Sequence, residues 1–320
     1  MPRASNKENA MSRLSLAVPA LTVLGVLAAL PAEAAQRVFV ASTGNDANVA
    51  TGCLFTQPCR GFTAAMTQVD PGGEVVALDA AGYGAVTITK SVTITANPGF
   101  YAGISAGSGN GVTIATGGVK VTLRNLNING VGATNGVVMT AGSQLSIENC
   151  VISNFSLGGG KGVSVTTAAT VRIVDSLVRE NFHGVYLANG STGTIARTKF
   201  FGNTEAGLYV HGNLGGATTA AAVSDSVFTN PAYAIYTFNN TGAAIARSAV
   251  TRSTLSNNGY GIASEATSGT AVSTISGSMI SGNTFGYSVV GAGSSVETLG
   301  NNTFRQNAGN TGALTPVGLE

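Results

Sequence analysis

The chain has 320 residues, with only 9% charged, a formal net charge of +2, 44 glycines, 8 prolines and no tryptophan. That length is ample for a large core. So little charge among so many Val, Ile, Thr, Ser and Ala residues excludes classical disorder, and scattered single Lys and Arg residues leave no basic face for a nucleic acid.

The first element along the chain is a targeting segment. Leu14 to Leu30 is apolar, follows Arg13 and precedes Pro31-Ala32-Glu33-Ala34-Ala35. An apolar run closed by Ala-x-Ala is the pattern of a cleavable signal, so residues 1–35 are expected to be removed and the mature chain to begin at Ala35 or Gln36. Residues 1–10 make a long polar lead, and Met11-Ser12-Arg13 offers an alternative start. A membrane anchor fits less well, because the run is near the short limit for spanning a bilayer. The expected location is secreted, periplasmic or cell-envelope, with no membrane span in the mature chain.

Residues 36–74 read as an N-terminal cap. Arg37-Val38-Phe39-Val40-Ala41 alternates like a strand. Cys53 and Cys59 bracket a short loop, and in an exported chain they are expected to form a disulfide; no His or further Cys lies nearby to suggest a metal. Phe62, Ala65, Met66 and Val69 share one face at helical spacing, and Asp70-Pro71-Gly72-Gly73 then stops the helix. A short amphipathic helix here would close the open end of a stacked structure.

Residues 75–307 read as stacked coils. Val75 to Leu78, Val86 to Thr89 and Val92 to Thr95 have strong period-2 character. From about residue 110 one unit recurs eight times, its second strand centred on Ile128, Ile152, Val178, Phe200, Phe228, Leu255, Ile280 and Phe304, at spacings of 24, 26, 22, 28, 27, 25 and 24. Asn181, Asn203, Asn258, Asn283 and Asn307 follow three residues after five of these centres, a position from which amides could hydrogen-bond coil to coil. Cys150 falls two residues before its centre, where other copies carry Ser176, Thr198, Ser226, Ser253 and Ser278, so it reads as a small buried residue rather than a nucleophile. Coils open near Gly136, Gly162, Gly184, Gly207, Ala234, Gly261 or Gly286, where glycine is expected to supply positive φ at a sharp bend. His183, just before Gly184, reads as a turn residue.

Such a period without helical patterning signals a solenoid. Coils this long fit three short strands and three bends. The expected fold is an all-β, right-handed parallel β-helix of about nine to ten coils; the strict hexapeptides of the left-handed form and the Gly-Gly-x-Gly-x-Asp repeats of the calcium-binding form are missing from the sequence. Residues 308–320 show no strand pattern and read as a loosely held tail.

Cys59-Arg60-Gly61-Phe62, Val86-Thr87-Ile88-Thr89-Lys90-Ser91-Val92-Thr93-Ile94 and Ile280-Ser281-Gly282-Asn283-Thr284-Phe285-Gly286 resemble the bacterial exported right-handed β-helix proteins of the pectate-lyase-like superfamily. The resemblance covers nearly all of the mature chain. It implies the fold and a field of activities that runs from polysaccharide lyases, hydrolases and epimerases to phage tailspikes and members without known activity, so it does not assign one. Pectate lyases of this fold use a cluster of Asp and Glu around calcium with an Arg or Lys base, and polygalacturonases use several Asp on adjacent coils. The twelve acidic residues beyond residue 35 mostly stand alone, with no Asp-Asp or Asp-x-Asp, and no two share a clear register in neighbouring copies. No cofactor and no metal is expected.

Two outward registers carry chemistry. Three residues before successive centres stand Asp175, Arg197, Asp225 and Arg252, which alternate in sign and predict an ion-pair ladder that fixes register. Two residues after successive coil openings lie Tyr186, Tyr209 and Tyr236, flanked by apolar neighbours that should point inward, so the tyrosines should form an outward ladder. Two residues further come Ala188, His211, Phe238 and Glu265 on the same face. Aromatic faces suit sugar rings. The expected function is a monomeric, non-catalytic surface or envelope protein that binds a polysaccharide, a cell-surface glycan or another partner through Tyr186, Tyr209, His211, Tyr236 and Phe238. The alternative is a polysaccharide lyase or glycoside hydrolase with His211 and Glu265 as its weak catalytic candidates; these two stand two coils apart, about 9–10 Å between backbones.

Overall fold

The computed structural model describes residues 36–318. The segment read as a signal, residues 1–35, lies outside them. Each full coil carries three strands, such as Asn135–Met139, Gln144–Glu148 and Val151–Ser153. The first two kinds belong to one 20-stranded sheet and the third to a 10-stranded sheet. The pairings are parallel, each strand meeting its equivalent one coil away. This is the right-handed parallel β-helix that the repeat predicts.

The eight centres form one column in the ten-stranded sheet, and Ile104 precedes them. All are fully buried except Phe304, which is half-buried in the last coils. Phe200 and Phe228 stack with ring centroids 4.3 Å apart. Apolar side chains from the sheets fill the interior, and polar ones alternate outward, as the period-2 pattern requires.

The asparagine column is an internal ladder. The Asn181 amide donates to Asn203 Oδ1, Asn258 to Asn283 and Asn283 to Asn307, each at 2.9 Å. Beside it runs a hydroxyl column: Ser176, Ser226, Ser253 and Ser278 each accept the backbone N–H one coil before and donate to the carbonyl two residues back. Cys150 sits in this column with its thiol 3.3 Å from the Glu148 carbonyl, and burial pushes that thiol up to about 12. It packs as a serine would and is unreactive.

The coil-opening glycines correct the reading of positive φ. They lie inside extended strands, and their φ values are not in the left-handed region. Their need is space: a Cβ added at Gly162 would sit 2.7 Å from the Gly184 carbonyl oxygen of the next coil. Positive φ instead marks the two bends that flank the ten-stranded sheet. One is Asn125, Asn149, Asp175, Arg197, Asp225, Arg252 and Gly277; the other includes Asn154, Glu180, Gly202, Asn230, Asn257 and Gly282. Asn, Asp and Gly dominate both, as this conformation favours.

The charged register therefore lies on a bend. Arg197 grips Asp175 through two hydrogen bonds of 2.7 and 2.9 Å, and Arg252 grips Asp225 through two of 2.8 and 2.9 Å. The expected ladder is two separate bidentate pairs, because each Arg commits both nitrogens to the preceding coil.

At the N-terminal end, the helix Phe62–Gln68 buries Phe62, Ala65 and Met66 and packs against the first strands. Cys53 and Cys59 are disulfide-bonded. The Asp46 carboxylate accepts the N–H groups of Arg60 and Gly61 at 2.7 and 2.9 Å and so orients the helix entry. At the other end, Gly309–Thr311 and Leu314–Pro316 are strands that continue the stack, where the sequence shows no strand pattern. No helix among the described residues is long and apolar enough to cross a membrane.

Candidate functional site

The Tyr register is real. Tyr186 pairs with Tyr209 and Tyr209 with Tyr236 on neighbouring strands; His211 pairs with Phe238 and Phe238 with Glu265. Val185 and Leu187, Leu208 and Val210 are buried on either side, so the tyrosines face outward and are half-buried against one another. Ring centroids are 5.2 Å apart from Tyr186 to Tyr209 and 4.9 Å from Tyr209 to Tyr236. His211 stacks on Tyr209 at 5.4 Å and lies 5.3 Å from Phe238. Ala188 does not join this face: its strand ends at Leu187, and it is fully buried.

A second aromatic column lies beside the first. Lys161, His183, Ala206, Tyr233, Tyr260 and Phe285 follow one another across strands. Tyr233 stacks on Tyr236 at 4.5 Å and on Tyr260 at 4.7 Å, and Tyr260 stacks on Phe285 at 4.9 Å. This column was available in the sequence as the residue before each coil-opening Gly or Ala. Reading His183 as a turn residue hid it. His183 instead sits within a strand, buried, with its ring 5.2 Å from that of Tyr209. Burial, and then the charge of Lys161, lowers it to about 4, so it is neutral near pH 7. Lys161 places its ammonium 5.3 Å from the Tyr186 ring centre and donates to the Gly159 carbonyl at 3.2 Å; burial lowers its pKa.

The two catalytic candidates are joined to different partners. His211 Nδ1 is 2.7 Å from the Tyr186 hydroxyl, and its Nε2 is 3.1 Å from Asn240 Oδ1. Since the Asn240 oxygen can only accept, Nε2 carries the proton and Tyr186 donates to Nδ1. Burial lowers the pKa of His211, which favours this neutral form. Glu265 accepts from the Tyr236 hydroxyl at 2.7 Å. Burial, followed by that carboxylate, raises the Tyr236 phenol; burial also raises Tyr209 and Tyr186. The surface is thus a connected, mostly neutral sheet of rings and hydroxyls, edged by Lys161 on one side and Glu265 on the other. Among the described residues, no group of three or more His, Cys, Asp and Glu side chains is placed to hold a metal ion.

The architecture defines a right-handed parallel β-helix, and comparison with known proteins agrees. A model of the right-handed β-helix region matches residues 110–308, so the chain belongs to that family. Among solved structures it is similar to pectate lyase Pel9A, with a TM-score of 0.66 and 16% identity over 88% of this chain and 80% of that one. It is also similar to an alginate lyase from Paenibacillus sp. str. FPU-7, with a TM-score of 0.58 and 12% identity over 86% of this chain and 99% of that one. No curated protein matches the sequence significantly.

Proposed function

We propose that this protein is an exported, non-catalytic glycan-binding β-helix whose ligand lies across the Tyr186–Tyr209–Tyr236 surface. The observation that carries this reading is the continuity of the rings: two columns on consecutive coils offer flat aromatic faces with hydroxyls between them. Sugar rings stack on such faces, and their hydroxyls exchange hydrogen bonds with phenols and amides. The similar structures are lyases named for pectate and alginate, which supports a glycan as the ligand class. Export is supported by the apolar leader with Ala-x-Ala and by the Cys53–Cys59 disulfide.

The test is binding to a panel of soluble acidic and neutral polysaccharides, followed by polymer length on size-exclusion chromatography. Co-migration of protein with intact polymer is the expected result. The Tyr186→Ser, Tyr209→Ser and Tyr236→Ser triple variant should lose it while keeping its circular dichroism. Unchanged binding by the triple variant refutes the surface as the site.

A second reading has its own observation. Tyr186, His211 and Asn240 form a hydrogen-bonded chain in which a phenol faces a neutral imidazole. That pair has the groups to donate and accept protons in a lyase or hydrolase reaction. Shortening of any polymer in the same experiment, abolished by His211→Asn, would favour the enzyme over the binding module.

A further inference from the structure

The second aromatic column has a property that glycan stacking does not use: two of its tyrosines lie against each other as oxidative coupling requires. Tyr233 and Tyr260 are register partners on neighbouring parallel strands. Their ring centroids are 4.7 Å apart and their planes 9° from parallel. That separation matches the strand spacing of about 4.7–4.9 Å, so one ring is close to the other moved one coil along the axis. Each carbon ortho to a hydroxyl therefore faces its own equivalent. Phe285 continues the stack at 4.9 Å and 12° but has no hydroxyl. On the other side, Tyr233 stacks on Tyr236 at 4.5 Å and 19°.

A phenol holds its proton to a pKa of about 10, so near pH 7 an electron leaves it readily only when a base takes the proton in the same event. Two phenols of the ladder have that base in place. Tyr236 donates to Glu265 at 2.7 Å, and Tyr186 to His211 Nδ1 at 2.7 Å, the ring nitrogen without a proton. Burial holds both phenols un-ionised beforehand, so electron and proton must leave together. Tyr209 lies between the two, its ring centroid 5.2 Å from that of Tyr186 and 4.9 Å from that of Tyr236. An electron vacancy formed at either end thus has ring contacts all the way to Tyr233 and Tyr260. Tyr101 is the contrasting case. It is the most exposed tyrosine, at 47%, yet its ring rests over Gly103, where a Cβ would stand 2.6 Å away, and it pairs with no other aromatic ring among the described residues.

We propose that Tyr233 and Tyr260 form an oxidative modification site, where an external one-electron oxidant of the peroxidase or metal-complex class joins two neighbouring coils through a dityrosine bond. Tyr236 gives up the first electron and passes its proton to Glu265. It then takes an electron from Tyr233 and its proton back from Glu265, while Tyr233 releases its own proton to water. Tyr260, half-exposed, gives the second electron directly and also releases its proton to water. The two phenoxyl radicals couple between the carbons ortho to their oxygens. The hydrogens on those carbons then move to the oxygens as protons, which restores both aromatic rings. The protein loses two electrons and two protons, and two equivalents of the oxidant are reduced. The bond fastens one coil to the next, as a disulfide does in an oxidising compartment. This chemistry needs no glycan, so it stands or falls apart from the binding reading.

The experiment is photo-oxidation of the dilute full chain with tris(bipyridine)ruthenium(II) and persulfate, without polysaccharide, followed by unfolding, trypsin and mass spectrometry. Cleavage after Lys199, Arg247, Arg252 and Arg305 leaves Tyr233 on the peptide Phe200–Arg247 and Tyr260 on Ser253–Arg305. The expected product from the monomer fraction is these two peptides joined with the loss of two hydrogens, with fragment ions that place the bond at Tyr233 and Tyr260. Tyr233→Phe and Tyr260→Phe, which keep the stacked rings, should each abolish it. A positioned base speeds proton transfer about a hundredfold or more, so Glu265→Gln combined with His211→Asn should slow the product at least about tenfold. Tyr101→Phe should leave its rate unchanged, although Tyr101 is the most exposed tyrosine. A bond that forms elsewhere in the chain, only between molecules, or not at all overturns the site. An unchanged rate in the Glu265→Gln, His211→Asn variant overturns the entry of oxidation through the ladder.

Discussion

Pro231 breaks the internal asparagine ladder, and replacing it with asparagine should stabilise the protein. In the intact part of the ladder, each Asn Oδ1 accepts two hydrogen bonds from the preceding coil. Asn203 Oδ1 takes the Asn181 backbone N–H at 3.2 Å and the Asn181 amide at 2.9 Å; Asn283 Oδ1 takes the same pair from Asn258 at 3.0 and 2.9 Å. Residue 231 is the equivalent position one coil before Asn258. Proline has neither an N–H nor an amide to give. Asn258 Oδ1 is accordingly buried without a partner. The residue before the ladder position keeps the same left-handed backbone here as elsewhere, with φ 69° at Asn230 against 57° at both Glu180 and Asn257, so asparagine fits without rearrangement.

In Pro231→Asn the orphaned acceptor gains two donors, and the new Oδ1 can accept from Asn203. Relieving a buried unsatisfied acceptor gains about 1–3 kcal/mol, and each further neutral hydrogen bond adds about 1. Losing the proline costs about 0.4–1 kcal/mol through the freer unfolded chain, and ordering the new side chain costs about 1 kcal/mol. The net is a gain of about 1–3 kcal/mol. Pro231→Ala restores only the N–H and should gain about 0–2.5 kcal/mol from the same two terms, leaving the asparagine variant, with its extra ladder bonds, about 1 kcal/mol more stable. Urea unfolding of the three proteins, compared at one slope, measures the order. If the asparagine variant proves no more stable than the alanine variant, the ladder is not the source of the gain and the reasoning fails.

Two other expectations follow from buried polar groups. Thr237, Ser248 and Ser273 close a hydroxyl ring inside the solenoid with bonds of 2.8 and 2.9 Å, and Ser264 donates into Ser273 at 2.7 Å. Ser273→Ala leaves two buried donors without an acceptor and should cost about 2–4 kcal/mol in urea unfolding, whereas Ser264→Ala, which removes a donor only, should cost about 1; equal costs would refute the directed ring. Burial and then Lys161 hold His183 at about 4, below its value of 6.5 in an unfolded chain. The unfolded state therefore binds more protons between these values, and stability should fall by about 2–3 kcal/mol as pH drops from 6.5 to 4. His183→Phe should flatten that part of the pH profile of unfolding, and a profile unchanged by the substitution would refute the assignment.

Much of the architecture is legible in the residues, because parallel coils stack in register. Positions that recur at one phase of the repeat must lie above one another, so Ile128, Ile152 and Val178 announce a buried column, and Tyr186, Tyr209 and Tyr236 an outward one. The serine equivalence of Cys150 was legible for the same reason. Other features were misread where phase says nothing about distance. The coil-opening glycines signal a small side chain, but a repeat cannot distinguish a bend from a close approach to the next carbonyl. His183 looked like part of a turn because its neighbour is glycine, yet the strand runs through both. The two Arg–Asp pairs could not be told from a ladder, because side-chain reach, not register, decides which neighbour each guanidinium takes.

Sequence alone determined the solenoid, its strand centres, the direction in which each register faces, and the disulfide-bearing N-terminal segment, since each follows from local alternation and a constant period. Tertiary structure alone decided that Tyr186 bonds His211 while Glu265 bonds Tyr236, that Tyr101 rests over Gly103, and that Asn258 has an orphaned oxygen. The contacts among these join residues 2 to 29 positions apart and are selected by rotamer, reach and burial within a stack whose coils vary in length. Periodicity sets which column a residue joins, but the partner it touches within and between columns is set by packing in three dimensions.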